Sequence, residues 1–208
     1  MSTAQEIVSR FYVNVLQRDG EESEITTYTN QILSQQKTTW DVLNDIINSQ
    51  EASDYIDPIV KLYYAGLDRR ADVTGIDHWV DALRDGTSTL LQIANGFVNS
   101  QEWSNTYGST EPTGQVIAAL YQNVLLREGS AAEIQAWQDT GLSTAEILLG
   151  FSNSIEFDIL SQGAIDADKG DAGKYDISYY GWNGLPDPLT TAADFIATPD
   201  MTPTDLVV

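Results

Sequence analysis

The chain has 208 residues, 42% of them hydrophobic, and no cysteine; 10 basic against 31 acidic residues give a formal net charge of −21. That length and apolar content suit one large or two small domains with a real core and exclude disorder, while the lack of cysteine excludes disulfides, thiolate metal sites and a cysteine nucleophile. The charge makes nucleic acid and a bare anionic membrane very poor partners, since both call for a basic surface.

The chain opens on MSTAQEIVSRFYVNVL. It has no basic head, long apolar middle or cleavage site, so it reads as a first helix rather than a secretory signal. Val8, Phe11, Tyr12, Val15 and Leu16 fall on one helical face. Ile25, Tyr28 and Ile32 line a second helix, and Thr38 with Asp41 has the capping-box spacing that opens a third. Trp40 follows that cap on the helix's first turn.

The same layout then returns. Ile59, Leu62, Tyr63, Leu67 and Arg69 stand 51 positions after Val8, Phe11, Tyr12, Leu16 and Arg18, and 58 before Ile117, Leu120, Tyr121, Leu125 and Arg127. The second-helix aromatics are Tyr28, Trp79 and Trp137; the later caps are Thr89 with Gln92 and Ser143 with Glu146. Each copy closes on Ser-x-Glu: Ser49/Glu51, Ser100/Glu102 and Ser154/Glu156. Recurrence at this period marks each copy as one structural unit. The third copy is four residues short, a deletion placed in the loop around Thr140 and Gly141.

The predicted architecture is therefore all-α. Three tandem repeats (1–57, 58–112 and 113–160) make a helical domain over 1–160, packed into one bundle. Residues 161–208 form a largely irregular tail with an acidic, glycine-rich loop, the aromatic stretch ISYYGW and a proline-rich connector. The chain stops on Leu206-Val207-Val208, which reads as the front of a longer protein. No apolar run is long enough to span a membrane.

Little here suggests catalysis, and an enzyme is not expected. His78 is the only histidine and turns away from Trp79 on the second helix. No nucleophile elbow, zinc-binding, dinucleotide or phosphate-loop motif occurs. The triplicated Arg and Glu read as structural, each Arg tying the first helix's end to a carboxylate or to terminal carbonyls, each Ser capping a short last turn. The repeat aromatics read as core. Asp166, Asp168 and Asp171, among Gly163, Gly170 and Gly173, miss the calcium-loop pattern by one position and leave a looser calcium site open. Asp68, Asp72 and Asp77 form a weaker candidate.

L-Y-x-x-x-L-x-R, then G-[IL]-x-x-W, then F-x-x-S-x-E-[FW] resembles a bacterial domain of unknown function that is repeated in type I secreted, RTX-like and S-layer proteins. Leu62, Tyr63, Leu67, Arg69, Gly75, Trp79, Phe97, Ser100, Glu102 and Trp103 carry the match best, whereas the first and third copies lack the Gly. The resemblance implies a secreted, cell-surface protein of the S-layer type, whose helical N-terminal region holds lipopolysaccharide with calcium outside the cell. The pattern is also similar to the phycobilisome linker domain, a protein–protein organiser, but those linkers are basic. The reading is then a non-catalytic attachment module binding lipopolysaccharide or another surface polysaccharide, assisted by calcium. Its rival is a protein–protein assembly module, with other copies of itself in a lattice as partners. With the repeat aromatics assigned to the core, Trp40, Tyr179, Tyr180 and Trp182 are the candidate carbohydrate-binding residues.

Overall fold

The computed structural model describes residues 3–69 and 71–161, and every regular element among them is helical. In chain order these are α1 (Thr3–Leu16), α2 (Glu22–Leu33), α3 (Thr39–Ile47), a π-helical turn (Ala52–Ile56), α4 (Asp57–Leu67), α5 (Val73–Arg84), α6 (Leu90–Val98), α7 (Gln101–Tyr107), α8 (Gly114–Leu125), α9 (Ala131–Asp139) and α10 (Thr144–Ser152). Residues 155–161 form a last short helix. Each repeat thus carries three helices and a short closing turn. The tail residues discussed above lie outside the described residues.

The caps follow the sequence. Thr38, Thr89 and Ser143 each accept the backbone N–H three residues on, and Asp41, Gln92 and Glu146 return the bond to the cap residue's own N–H. The closing turns start on Ser49, Ser100 and Ser154, whose hydroxyls accept from the N–H of Ala52, Trp103 and Phe157 at 3.0–3.1 Å. In the first copy this turn widens to a π turn and runs into α4. That geometry suits Pro58, which has no N–H to give and crowds the carbonyl one turn back.

The helices divide into two compact units, the first ending at Ile56 and the second starting at Asp57. In the first unit α1 packs on α2, α3 and the π turn. Ile7, Val8, Phe11, Val15, Val42 and Ile56 are fully buried there. In the second unit, α10 of the third repeat lies against α4 and α6 of the second, and α4 against α8. Those two repeats therefore share one core, built on Ile59, Leu62, Ile93, Trp103, Ile117, Leu120 and Leu148, none more than marginally accessible. Lys61 of α4, 9% exposed, ties the repeats together again through Asp158 at 2.5 Å.

Two expectations need correction. The four-residue deletion is not confined to the loop: α5 has 12 residues and α9 has 9. The third copy has lost most of one helical turn, and removing close to a full turn keeps the inward face in phase. Second, Tyr28, Trp79 and Trp137 are half-buried rather than interior. They do occupy the same place in each copy, on the outer edge of the second helix where it meets the third.

Candidate functional site

Each first helix ends on a residue in the left-handed region: Gln17 (φ 53°), Asp68 (φ 50°) and Leu126 (φ 53°). That turn throws the following Arg back across its own repeat. Arg18 donates from Nε to Glu51 Oε1 at 2.6 Å and from Nη2 to Oε2 at 2.7 Å. It also forks onto Glu24, with both contacts at 2.9 Å, and lies 5.1 Å over the Tyr12 ring. Arg127 repeats this with Glu156 at 2.6 and 3.1 Å, Glu133 at 2.9 Å and the Tyr121 ring at 4.8 Å. The bond to Glu51 raises the pKa of Arg18, and that to Glu156 raises Arg127. Arg127 in turn holds the Glu133 carboxyl down to about 2 and lowers Glu156.

The second repeat builds the clasp differently. Arg69 grips Glu102 at 2.5 and 2.9 Å, but its second partner is Asp72 at 3.6 Å. Gly75 stands where Glu24 and Glu133 stand. A Cβ there would lie 2.2 Å from the Tyr63 hydroxyl, so a longer residue requires the Tyr63 side chain to shift. Asp72 caps α5 by accepting from Gly75 N–H at 2.8 Å. Bidentate, ring-backed contacts of this kind fix the arginine, and the segment it ends, in one geometry.

The half-buried aromatics come with a compensating partner on the third helix. Trp137 stacks on Phe151 at 5.3 Å, its Nε1–H donates to Tyr121 Oη at 3.1 Å, and a Cβ on Gly150 would lie 2.6 Å from the indole. Trp79 lies over Gly96, where a Cβ would sit at 3.4 Å. In the first repeat the indole is absent and the space is polar. Asp45 replaces the glycine, acts on the Tyr28 hydroxyl through its charge and pairs with Lys37, whose ammonium is 5.9 Å from the Tyr28 ring. Burial, followed by the Asp45 charge, pushes the Tyr28 hydroxyl up.

Of the sequence-predicted site residues, Trp40 is placed: it sits on the first turn of α3 and is half-buried. Its counterparts are Leu91, 37% exposed, and Ala145, buried. Tyr179, Tyr180, Trp182, Asp166, Asp168 and Asp171 lie outside the described residues. Among the described residues no group of three acids or histidines is arranged to hold a metal ion. His78 is exposed, 4.7 Å from Trp79 and edge-on to it.

Sequence reasoning missed the exposed aliphatic side chains of the third repeat, Leu126, Ile155 and Ile159. The signal was available. The equivalent positions hold Gln17 and Asp68, Gln50 and Gln101, and Asp54 and Asn105.

The family described as Domain of unknown function (DUF4214) matches residues 52–107 and 94–160, together more than half of the chain. No curated protein and no solved structure matches the chain.

Proposed function

We propose that this chain, which belongs to the DUF4214 family, is a non-catalytic attachment module of a secreted, S-layer-like protein. It binds lipopolysaccharide or another surface polysaccharide, with calcium assisting. The observation that supports this most is Trp40. It is an aromatic without a counterpart in the other repeats, it is left partly open on a capped helix start, and it has no share in the clasp or slot geometry. Pyranose rings offer C–H faces to such a surface, and Tyr179, Tyr180 and Trp182 are the further candidates. The excess of acids supports a setting rich in divalent cations, where carboxylates are bridged instead of repelling one another.

The test is co-sedimentation with isolated cell-surface polysaccharide, with and without calcium, read alongside tryptophan fluorescence. Binding that survives Trp40→Ala together with Trp182→Ala sinks the site assignment. No binding under either condition shifts the reading to a protein–protein assembly module.

A further inference from the structure

The three repeats act as an internal substitution series, and the third departs from the other two in one direction. At the left-handed end of the first helix, Gln17 and Asp68 give way to Leu126, which is 74% exposed. An L side chain takes that conformation at a cost, and aspartate and asparagine bear it best. On the closing turn, the Gln50 amide donates to Asp54 Oδ1 at 2.8 Å and the Gln101 amide to Asn105 Oδ1 at 3.0 Å. The third repeat has Ile155 and Ile159 instead, 79% and 63% exposed. These changes flank one clasp: Leu126 precedes Arg127 and Ile155 precedes Glu156, and the Arg127–Glu156 bond joins the two segments at 2.6 Å.

Core packing does not account for them. Phe157, on the other side of the same turn, already fills the inward position at 6% exposed, as Trp103 does in the second repeat. Leu126 is exposed on a helix end whose inward residue, Leu125, is buried. The same three outward positions are polar in two repeats and aliphatic in one.

We infer that the face formed by Leu126, Ile155 and Ile159 is a docking surface for a cationic amphipathic protein segment with aliphatic anchors at helical spacing. Charge selects this occupant. The third repeat holds Arg127 as its single basic residue against Glu128, Glu133, Asp139, Glu146, Glu156 and Asp158. Arg127 is itself clasped by Glu133 and Glu156. A second copy brings a charge of −21 to this face, and residues 161–208 bring eight Asp against two Lys; both are repelled. A segment with lysines flanking leucines gains the apolar contact and the attraction together. This surface shares no residue with the Trp40 candidate set and does not depend on the polysaccharide reading.

The experiment uses the full chain and a fluorescent peptide about 18 residues long, made of leucine and lysine with leucines at i, i+3 and i+4. A scrambled isomer of the same charge serves as control. The variant Ile155→Gln with Ile159→Asn installs the second repeat's residues and leaves the charge unchanged. The wild-type chain should bind the patterned peptide about tenfold tighter than its isomer, and the double variant should lose that preference while keeping its helicity. Leu126→Asn should weaken peptide binding while raising the melting temperature, an outcome that unfolding cannot produce. Equal affinity in wild type and double variant overturns the proposal, as does no binding by the wild type. Self-association of the wild type that the double variant abolishes assigns the face to a second copy and overturns it too.

Discussion

Exchanging the aromatic slot between repeats tests whether each slot is a coupled pair. Tyr28→Trp alone forces an indole against Asp45, at the position where even a Cβ would lie 2.6 Å from the ring in the third repeat. Overpacking of this kind costs roughly 1–3 kcal/mol. Asp45→Gly alone removes the carboxylate that pairs with Lys37 and whose charge acts on Tyr28. It loses about 1 kcal/mol of hydrogen bonding and roughly 0.5 kcal/mol of helix propensity in α3. If the changes were independent, the double variant would lose about 3.5 kcal/mol. The double variant instead recreates the Trp79–Gly96 pairing and relieves the overpacking, so its net loss should be about 1.5 kcal/mol, a coupling of about 2 kcal/mol. Urea unfolding of the wild type, both single variants and the double variant, followed by circular dichroism, measures this. A double variant whose loss equals the sum of the singles refutes the slot argument.

Four further outcomes follow from the same geometry. Arg18→Met should lower the unfolding midpoint more than Arg127→Met, because the Arg18 side chain is 23% exposed and that of Arg127 38%. Trp137→Ala should destabilise by about 2 kcal/mol, below the figure for a fully buried tryptophan, since the ring is half-open; a larger loss would place it in the interior. Arg127 depresses Glu133, to about 2, and Glu156 below their ordinary value of 4.5; their contribution is therefore complete above pH 4.5 and is lost as the pH falls toward 2. Melting curves across that window should show the decline in the wild type and a flatter one in Arg127→Met. Millimolar calcium should raise the melting temperature more than sodium chloride at matched ionic strength, and equal shifts in the two salts would leave only screening.

The helices and caps were legible because their signals are local. Apolar residues at helical spacing and hydroxyls three residues before a return acceptor act within one or two turns. The long-range clasps were half legible. Glu51, Glu102 and Glu156 stood out because they recur, but Glu24 and Glu133 did not, since Gly75 breaks their series. Depth of burial was not legible: recurrence places Tyr28, Trp79 and Trp137 in one slot without saying whether the slot is open. The aliphatic face was hidden for a related reason. Ile155, Phe157 and Ile159 read together as apolar, and only the helix's orientation separates the buried Phe157 from its exposed neighbours. The tail candidates rest on residues 162–208 and stay expectations.

Charge gives the two proposed surfaces opposite signatures. Among the described residues Arg18, Lys37, Lys61, Arg69, Arg84 and Arg127 all pair with carboxylates of the same chain. Residues 1–161 carry 23 acids, so a large surplus faces outward. An anionic polysaccharide approaching that surface is repelled until a divalent cation bridges phosphate or carboxylate to carboxylate, so calcium should strengthen its binding. A cationic segment on the face of Leu126, Ile155 and Ile159 is attracted from the start, so calcium should compete with it and sodium chloride should screen it. Titrating calcium from zero to millimolar while following polysaccharide co-sedimentation and peptide anisotropy on the same protein should move the two signals in opposite directions. If both weaken with calcium, the bridging role in attachment fails. If both strengthen, the charge argument for a cationic occupant fails.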